Sequence, residues 1–264
     1  MKIAILTKRR TGLVEVLAAC ALRDGHEVAL IGLADLEVDD RLAGYDLVIQ
    51  KSKQLFFLYA GLHAKALGVR VVPDPETSRQ VTNRIERPFL ARRAGIATPR
   101  LWFGTPEAVR ARLATAEYPV VRKPIVGSGS HGVQLVEGPS ELPAASNRHL
   151  YLEACVRGRH LLVYFLGDDL RAFEKRPFVS GREPVQAVEP AGDVAELVRR
   201  WRDATGLSFG HLDLVRDERT GGLVMVDAGP FPQFPHWPEA AERVGAMVLA
   251  CLGDATRQAS THPA

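Results

Sequence analysis

Cysteine is scarce in this chain, and long apolar runs are missing. The 264 residues include three cysteines, Cys20, Cys155 and Cys251, which are widely separated and lie in apolar surroundings. This spacing favours buried thiols over disulfides, and no His-Cys cluster has the spacing of metal ligands. No apolar run approaches the length that a membrane-spanning helix needs. We therefore expect a protein with no membrane partner.

A strong excess of one charge is also missing. The formal net charge is +3 at pH 7. Such a mild balance suits a phosphorylated substrate or an ordinary solvated surface, and it is too weak to predict a nucleic-acid partner. Residues 1–10 form a short apolar run followed by basic residues, which is the reverse of a secretory signal. We expect a cytoplasmic protein with a small-molecule substrate, and the sequence predicts no oligomeric state.

Two familiar phosphate-binding motifs are missing around the glycine-rich segment 127–132. No Gly-Lys-Ser/Thr closes the segment and a strand rather than a helix follows it, so neither a P-loop nor a Rossmann turn fits. Strand-like runs that include Val120 and Val133 flank the segment, and Lys123 precedes it. Glycines let backbone N–H groups approach an anion, so the segment could fold over phosphates. An ordinary glycine-containing hairpin is the alternative.

The order of apolar and polar runs predicts an α/β (α+β) protein with three lobes. Strands and helices alternate over residues 1–76, which predicts a small parallel lobe that binds ligands at the carboxyl ends of its strands. A central lobe, 77–156, and a carboxy-terminal lobe, 157–264, are predicted to contain antiparallel sheets. We also predict one continuous helix over 77–94 and a closing helix over 239–252, followed by a frayed tail.

Two aspartates lie on the arms of the last predicted hairpin. If its turn centres near Thr220, Asp213 and Asp227 stand opposite one another, with Cβ atoms about 5 Å apart. Like charges directly across a sheet are destabilising, so unless one points to solvent we expect a cation or a proton between them. Mg²⁺ bridging phosphate oxygens would be the usual solution. A slipped register that sends one aspartate to the outer face is the alternative.

Several other polar residues have both a functional and an ordinary interpretation. Glu153 follows a strand-like run and could bind ribose or adenine, or it could be a surface carboxylate. Lys175 and Arg176 could lie under the glycine-rich segment, or they could be solvated at a strand end. His131 could touch a transferring phosphate. His63, His149 and His211 are as readily explained as ordinary polar residues of helices or strands.

Taken in order, these features resemble the ATP-grasp superfamily and, in detail, its inositol trisphosphate 5/6-kinase branch. The resemblance covers most of the chain. Its motifs are Val120-Val-Arg-Lys with Gly-Ser-Gly-Ser-His, Glu174-Lys-Arg-Pro, Phe209-Gly-His-Leu-Asp-Leu and Asp227-Ala-Gly-Pro-Phe-Pro-Gln-Phe. In the first lobe, Asp46-Leu-Val-Ile-Gln-Lys resembles the family's Asp-Val-Ile-x-His-Lys run.

The resemblance implies an ATP-grasp fold that holds ATP between the central and carboxy-terminal lobes. It implies Mg²⁺ binding by Asp213 and Asp227, and transfer of the γ-phosphoryl group with the help of Lys123, His131 and Arg176. The implied nucleotide contacts are Arg84, Lys123, Gly127, Ser128, Gly129, Ser130, Glu153, Ala154, Val156 and Lys175. The implied acceptor contacts are Lys8, Arg9, Lys51, His131 and Arg176.

Three departures from the family pattern leave the activity open. Gly229 stands where the family has a metal-binding asparagine, Leu162 where it has a substrate lysine, and Gln50 where it has a histidine. The first hypothesis is an ATP-dependent kinase of a small, phosphorylated polyol. The second is a carboxylate–amine ligase similar to the ribosomal-protein glutamate ligases, although their Asp-x-Arg falls at His160-Leu-Leu. The third is an ATP-binding regulatory protein with little turnover.

Overall fold

The computed structural model describes residues 1–125, 132–143, 149–177 and 184–259, with side chains described up to residue 252. The chain divides into two compact units. The first consists of Met1–Arg79, Leu207–Gly210 and Pro230–Ala264, and the second of Gln80–Gly206 and His211–Gly229. The division into three lobes stays a prediction.

Helices and strands alternate at first and give way to strand pairs further along the chain. In order they are β1 (Lys2–Leu6), α1 (Gly12–Arg23), β2 (Glu27–Ile31), β3 (Leu47–Gln50), α2 (Leu55–Ala66), β4 (Arg70–Val72), α3 (Pro75–Thr82), α4 (Arg87–Arg93), β5 (Leu101–Gly104), α5 (Pro106–Arg112), β6 (Val120–Arg122), β7 (Gln134–Val136), β8 (Leu150–Ala154), β9 (Gly158–Leu166), β10 (Asp169–Lys175), β11 (Gln186–Val188), α6 (Gly192–Thr205), β12 (Phe209–Asp217), β13 (Leu223–Gly229) and α7 (Ala240–Ala259). Within the described part of the chain, no helix is both long and apolar enough to cross a membrane.

The first unit contains the predicted parallel sheet. Its strand order is β2-β1-β3-β4, and every neighbouring pair is parallel. All four residues of β3 are buried, as are four of the five residues of β1, which is typical of parallel strands covered on both faces. Since β2 and β3 lie on opposite sides of β1, the strand order reverses between β1 and β3, where such sheets bind ligands.

Helix α2 closes one face of this sheet. Its residues Phe57, Ala60 and Ala64 pack with Leu6 and Val48 in one apolar cluster. The three helical residues are spaced by three and four positions, so they share the face that meets the sheet. This packing fixes the loop between β3 and α2, which carries Lys51.

The second unit contains two further sheets. One has the order β5-β8-β6-β7 and is antiparallel throughout, and the other has the order β11-β10-β9-β12-β13. In the second sheet β10 is antiparallel to both β9 and β11, and β12 is antiparallel to β13. The mixture of a parallel sheet with antiparallel sheets confirms the predicted α/β (α+β) class.

The predicted helix over 77–94 is two helices, α3 and α4, separated by a turn. The Asn83 side chain accepts a bond from Ile85 N at 2.9 Å and donates one to Glu86 Oε1 at 2.9 Å. Asparagine side chains that bond to nearby backbone compete with helical hydrogen bonds, which explains the break. The predicted tail after residue 252 was also wrong in part, because α7 extends to Ala259.

Candidate active site

A cleft lies in the second unit and receives residues from both of its sheets. Its walls combine apolar side chains with a concentrated set of charges. The lining residues are Arg84, Val121, Lys123, Val133, Glu153, Ala154, Cys155, Val156, His160, Lys175, Asp213, Val215, Val226 and Asp227.

The two predicted acids stand directly opposite each other in this cleft. The register of β12 and β13 pairs Asp213 with Asp227, and it shifts by a β-bulge between Asp213 and Leu214. The predicted pairing is therefore confirmed, and the slipped register is excluded. Each acid has a cationic partner, because Lys175 Nζ lies 2.9 Å from Asp213 Oδ2 and Arg87 donates to Asp227 Oδ1. These partners offset the repulsion between the acids.

Asp227 is held by two arginines that are themselves buried. The side chain of Arg87 is 4% exposed and that of Arg84 is 2% exposed, and Arg84 Nη2 lies 3.6 Å from Asp227 Oδ2. Loss of water contact by itself would raise the pKa of Asp227, but the positive charges of Arg87, Arg84 and Lys123 outweigh it and hold the pKa far below its usual range. Asp227 is therefore ionised at neutral pH.

A second buried network surrounds Glu153. Lys123 Nζ donates to Glu153 and to Val226 O at 3.0 Å, and the Tyr151 hydroxyl donates to Glu153 Oε1 at 2.7 Å. Burial raises the pKa of Tyr151, and the charge of Glu153 raises it further, so the phenol keeps the proton that it donates. The interpretation of Glu153 as a surface carboxylate was wrong, because this residue is 4% exposed.

The donor set fits one divalent cation. Asp213 lines the cleft, and its Oδ1 atom is buried without a hydrogen-bond donor among the described residues, so this carboxylate oxygen has bonding capacity unused. Over the same residues no group of three His, Cys, Asp or Glu side chains is arranged as a metal site. Mg²⁺ commonly takes one or two carboxylates and completes its shell with water and phosphate oxygens. Asp213 and Asp227 match that requirement.

The other predicted nucleotide contacts, together with the predicted catalytic residues Arg176 and His131, divide into three groups. Arg84, Ala154, Val156 and Lys175 line the cleft with Lys123 and Glu153. Arg176 follows the last residue of β10, is exposed, and is not among the residues that line the cleft. The glycine-rich segment lies outside the described residues. Its predicted site residues are Gly127, Ser128, Gly129, Ser130 and His131.

The predicted acceptor residues Lys8, Arg9 and Lys51 lie in the first unit, at the carboxyl ends of β1 and β3. Lys8 and Arg9 are exposed, whereas Lys51 packs against Phe231. Lys51 Nζ donates to Phe231 O at 2.7 Å and lies 4.7 Å from the centre of its ring. Loss of water contact, aided by the charge of Lys53, lowers the pKa of Lys51 to about 7.

Three further residues, of which only His160 lines the cleft, were not predicted from the sequence. Arg87 reaches Asp227 from 140 positions away, Tyr151 supports Glu153, and His160 lies on β9. Burial lowers the pKa of His160, and the charge of Lys175 lowers it further, so the imidazole is favoured in its neutral form. The sequence held one signal for Arg87, because it lies three positions after Arg84 and the predicted helix over 77–94 would have placed both side chains on one face.

The chain has limited similarity to curated proteins. No protein-family model matches it. Over 112 residues it is 37% identical to the D-alanine–D-alanine ligase of Deinococcus radiodurans, a match that covers 39% of this chain and 32% of the ligase. The chain spans about a third of the length of the curated relatives that it matches first.

Similarity to solved structures extends over nearly the whole chain. The RimK domain protein ATP-grasp from Sphaerobacter thermophilus has a TM-score of 0.77 and 18% identity, over 94% of this chain and 98% of that one. The ATP-grasp ligase PsnB, solved with a minimal precursor, Mg and ADP, has a TM-score of 0.69 and 17% identity, over 95% of this chain and 98% of PsnB. This protein therefore has the ATP-grasp fold.

Proposed function

We propose that this protein is an ATP- and Mg²⁺-dependent ligase that activates a carboxylate as an acyl phosphate and joins it to an amine. The observation that carries the proposal is the pairing of Asp213 with Asp227 in a cleft that also contains Lys123, Lys175 and Arg84. Two facing carboxylates can hold a metal, and the three cations can hold a phosphate chain. The apolar wall, which includes Val121 and Val215, suits a purine base.

The charged partners in the cleft also suit a triphosphate. Lys175 is ion-paired with Asp213, and Lys123 with Glu153. When a metal–nucleotide complex binds, the carboxylates gain a metal ion and the lysines gain phosphate oxygens, so charges that balance each other beforehand stay balanced. Mg²⁺ held by Asp213 and Asp227 would neutralise charge on the phosphates and polarise them.

The proposed reaction has two steps. An oxygen of the acceptor carboxylate attacks the γ-phosphorus, the bond from that phosphorus to the β–γ bridging oxygen breaks, and ADP leaves. The amine nitrogen then attacks the carbonyl carbon of the acyl phosphate, inorganic phosphate leaves, and the nitrogen loses a proton. Lys123, Lys175 and Arg84 stabilise the negative charge that shifts along the phosphate chain, so positioning and electrostatics supply the catalysis.

The relatives favour a ligase over the kinase predicted first. Two of the three described above are named as ligases, and one of these was solved with a precursor and ADP. A carboxylate and a hydroxyl attack the γ-phosphorus in the same way, so the cleft alone serves either reaction. We propose Lys8, Arg9 and Lys51 as acceptor contacts, which suits an acceptor with an acidic group.

Trapping with hydroxylamine separates the possible activities. We expect ADP release with stoichiometric hydroxamate when ATP, Mg²⁺ and hydroxylamine are supplied with a panel of amino acids and short peptides. The K123M variant should lose this activity, whereas K65M, which changes an exposed lysine of the first unit, should keep it. ADP release with a polyol phosphate and without hydroxamate would identify a kinase instead. Tight binding of Mg²⁺–ATP without transfer to either panel would identify a regulatory protein.

A further inference from the structure

A histidine lies next to the acidic pair. His211 precedes Asp213 by two residues on β12, and the register places it opposite Gly229 on β13, as Asp213 is opposite Asp227. Side chains two apart on a strand, and side chains directly opposite across a pair, lie on the same face of a sheet. The intervening Leu212 is fully buried on the other face. His211 therefore shares the face of the two acids.

The imidazole occupies the space that a side chain at position 229 would need. A Cβ on Gly229 would lie 2.8 Å from Nδ1 and 3.3 Å from Nε2 of His211. The ring of Tyr164 packs edge-on against the same imidazole, with ring centres 6.4 Å apart. Glycine at 229 and histidine at 211 are thus a matched pair, because a side chain at 229 and the observed position of His211 exclude each other.

The order of residues along the two strands places His211 at the reactive end of the cleft. Val215 and Asp213 line the cleft from β12, and Val226 and Asp227 line it from β13. The next pair on this face, beyond the acids, is His211 with Gly229. If the base occupies the apolar wall and the acids hold the metal and phosphates, the terminal phosphoryl group points toward His211.

We propose that the imidazole of His211 donates a hydrogen bond to the terminal phosphoryl group of the bound nucleotide, in place of a polar side chain at position 229. This inference rests on the proposed nucleotide site. No group of three acidic, histidine or cysteine side chains among the described residues is arranged around a metal, so the imidazole is assigned to the phosphate rather than to the ion. An imidazole N–H next to a transferring phosphoryl group stabilises the charge that develops on its oxygens.

Nucleotide binding to the full-length chain tests this assignment without any turnover. We expect the H211A variant to bind AMPPNP with Mg²⁺ about tenfold more weakly than the wild type, because a charge-assisted hydrogen bond is lost. Its affinity for ADP should stay within about twofold, because ADP lacks the terminal group. The H26A variant, which changes a histidine of the first unit, should match the wild type for both nucleotides. Isothermal titration calorimetry measures all six affinities.

A reciprocal exchange adds a second readout. In the H211A background, G229N has room for its side chain, and we expect it to recover part of the lost AMPPNP affinity. G229N alone should not raise AMPPNP affinity above that of the wild type, since His211 occupies the space that the new side chain needs. If H211A proves unstable in thermal melts, H211N provides the same comparison with a smaller change in volume.

Equal weakening of AMPPNP and ADP binding in H211A, or no change in either affinity, would overturn the assignment of His211 to the phosphoryl group. Failure of the wild type to bind either nucleotide would overturn the proposed function as well.

Discussion

Asp227 shows how a half-buried charge is neutralised by buried groups within the chain. Two arginines with almost no exposure neutralise it, and its pKa stays far below the usual range. Removal of one member of such a network leaves an uncompensated buried charge, so the network is sensitive to single substitutions. The sequence predicted that Asp227 needs a cation, and the structure shows that Arg87 supplies one within the chain.

The lowered pKa of Lys51 makes the stability of the fold depend on pH. Its pKa in the folded chain is about 7, below its ordinary value of 10.5. Between these two values the unfolded chain binds more protons than the folded chain, so the stability of the fold rises with pH. The lowered pKa of Lys51 decreases the free energy of unfolding by its full amount below pH 7. This decrease disappears as the pH approaches 10.5.

We therefore expect K51M to stabilise the protein relative to the wild type at pH 6, and to do so much less at pH 9.5. Urea denaturation at the two pH values measures the difference in unfolding free energy. The exposed lysine at the same sheet edge provides a control, and K8M should show no such pH-dependent difference. A K51M effect of equal size at both pH values would contradict the assignment of a depressed pKa to Lys51.

At the scale of secondary structure, the turn between α3 and α4 determines where the arginines point. Asn83 holds this turn through its side chain, and Arg84 and Arg87 follow within four residues. Arg84 also donates a backbone bond to Ile125 O at 3.1 Å, which ties the turn to the end of β6. A continuous helix would send these side chains in other directions.

We expect N83A to weaken Mg²⁺–ADP binding about tenfold, because the turn that positions both arginines loses its side-chain bonds. The N83A substitution should lower the free energy of unfolding by about 1 kcal/mol. T105A is the matched control, since Thr105 Oγ1 accepts the N-terminal bond of α5 from Ala108 N at 3.3 Å in the same unit. This variant should lose a similar amount of stability and keep its nucleotide affinity. Equal loss of affinity in both variants would show that general destabilisation, and not arginine placement, is responsible.

At the scale of the whole molecule, the fold and the cleft together predict how ligands change stability. The cleft belongs to the second unit and receives lining residues from both of its sheets. A ligand that binds only the folded chain stabilises it by an amount that depends on its concentration relative to the dissociation constant. Nucleotide binding should therefore be visible as a shift in thermal unfolding.

With Mg²⁺–ADP at about 100 times the dissociation constant, we expect stabilisation by about 2.7 kcal/mol. For a chain of this size that corresponds to a rise in Tm of roughly 5–10 °C. At the same nucleotide concentration D213N should show a much smaller rise, because one of the two carboxylates that we propose as metal ligands is lost. Differential scanning calorimetry with and without Mg²⁺ measures both shifts. An undiminished shift in D213N would argue against Asp213 as a metal ligand.

Local patterns predicted much of the architecture. The alternation of strands and helices predicted a parallel sheet, although the pairing of β1 with β3 at its centre came from the structure. The polar turn after β12 predicted the hairpin that pairs Asp213 with Asp227. Two short strands, β5 and β11, were not predicted. Three or four residues carry too little periodicity to distinguish a strand from a loop, and only pairing with β8 and β10 makes them strands.

The sequence by itself determined the fold class, the likeness to ATP-grasp proteins and the acidic pair, because each depends on residues close together in the chain or on simple strand geometry. The tertiary structure alone decided that Arg87 neutralises Asp227, that Glu153 is buried with Lys123, and that His211 occupies the space beside Gly229. Each of these contacts joins residues between 18 and 140 positions apart. Packing decides such contacts, because the periodicity of a helix or strand relates only residues within one element.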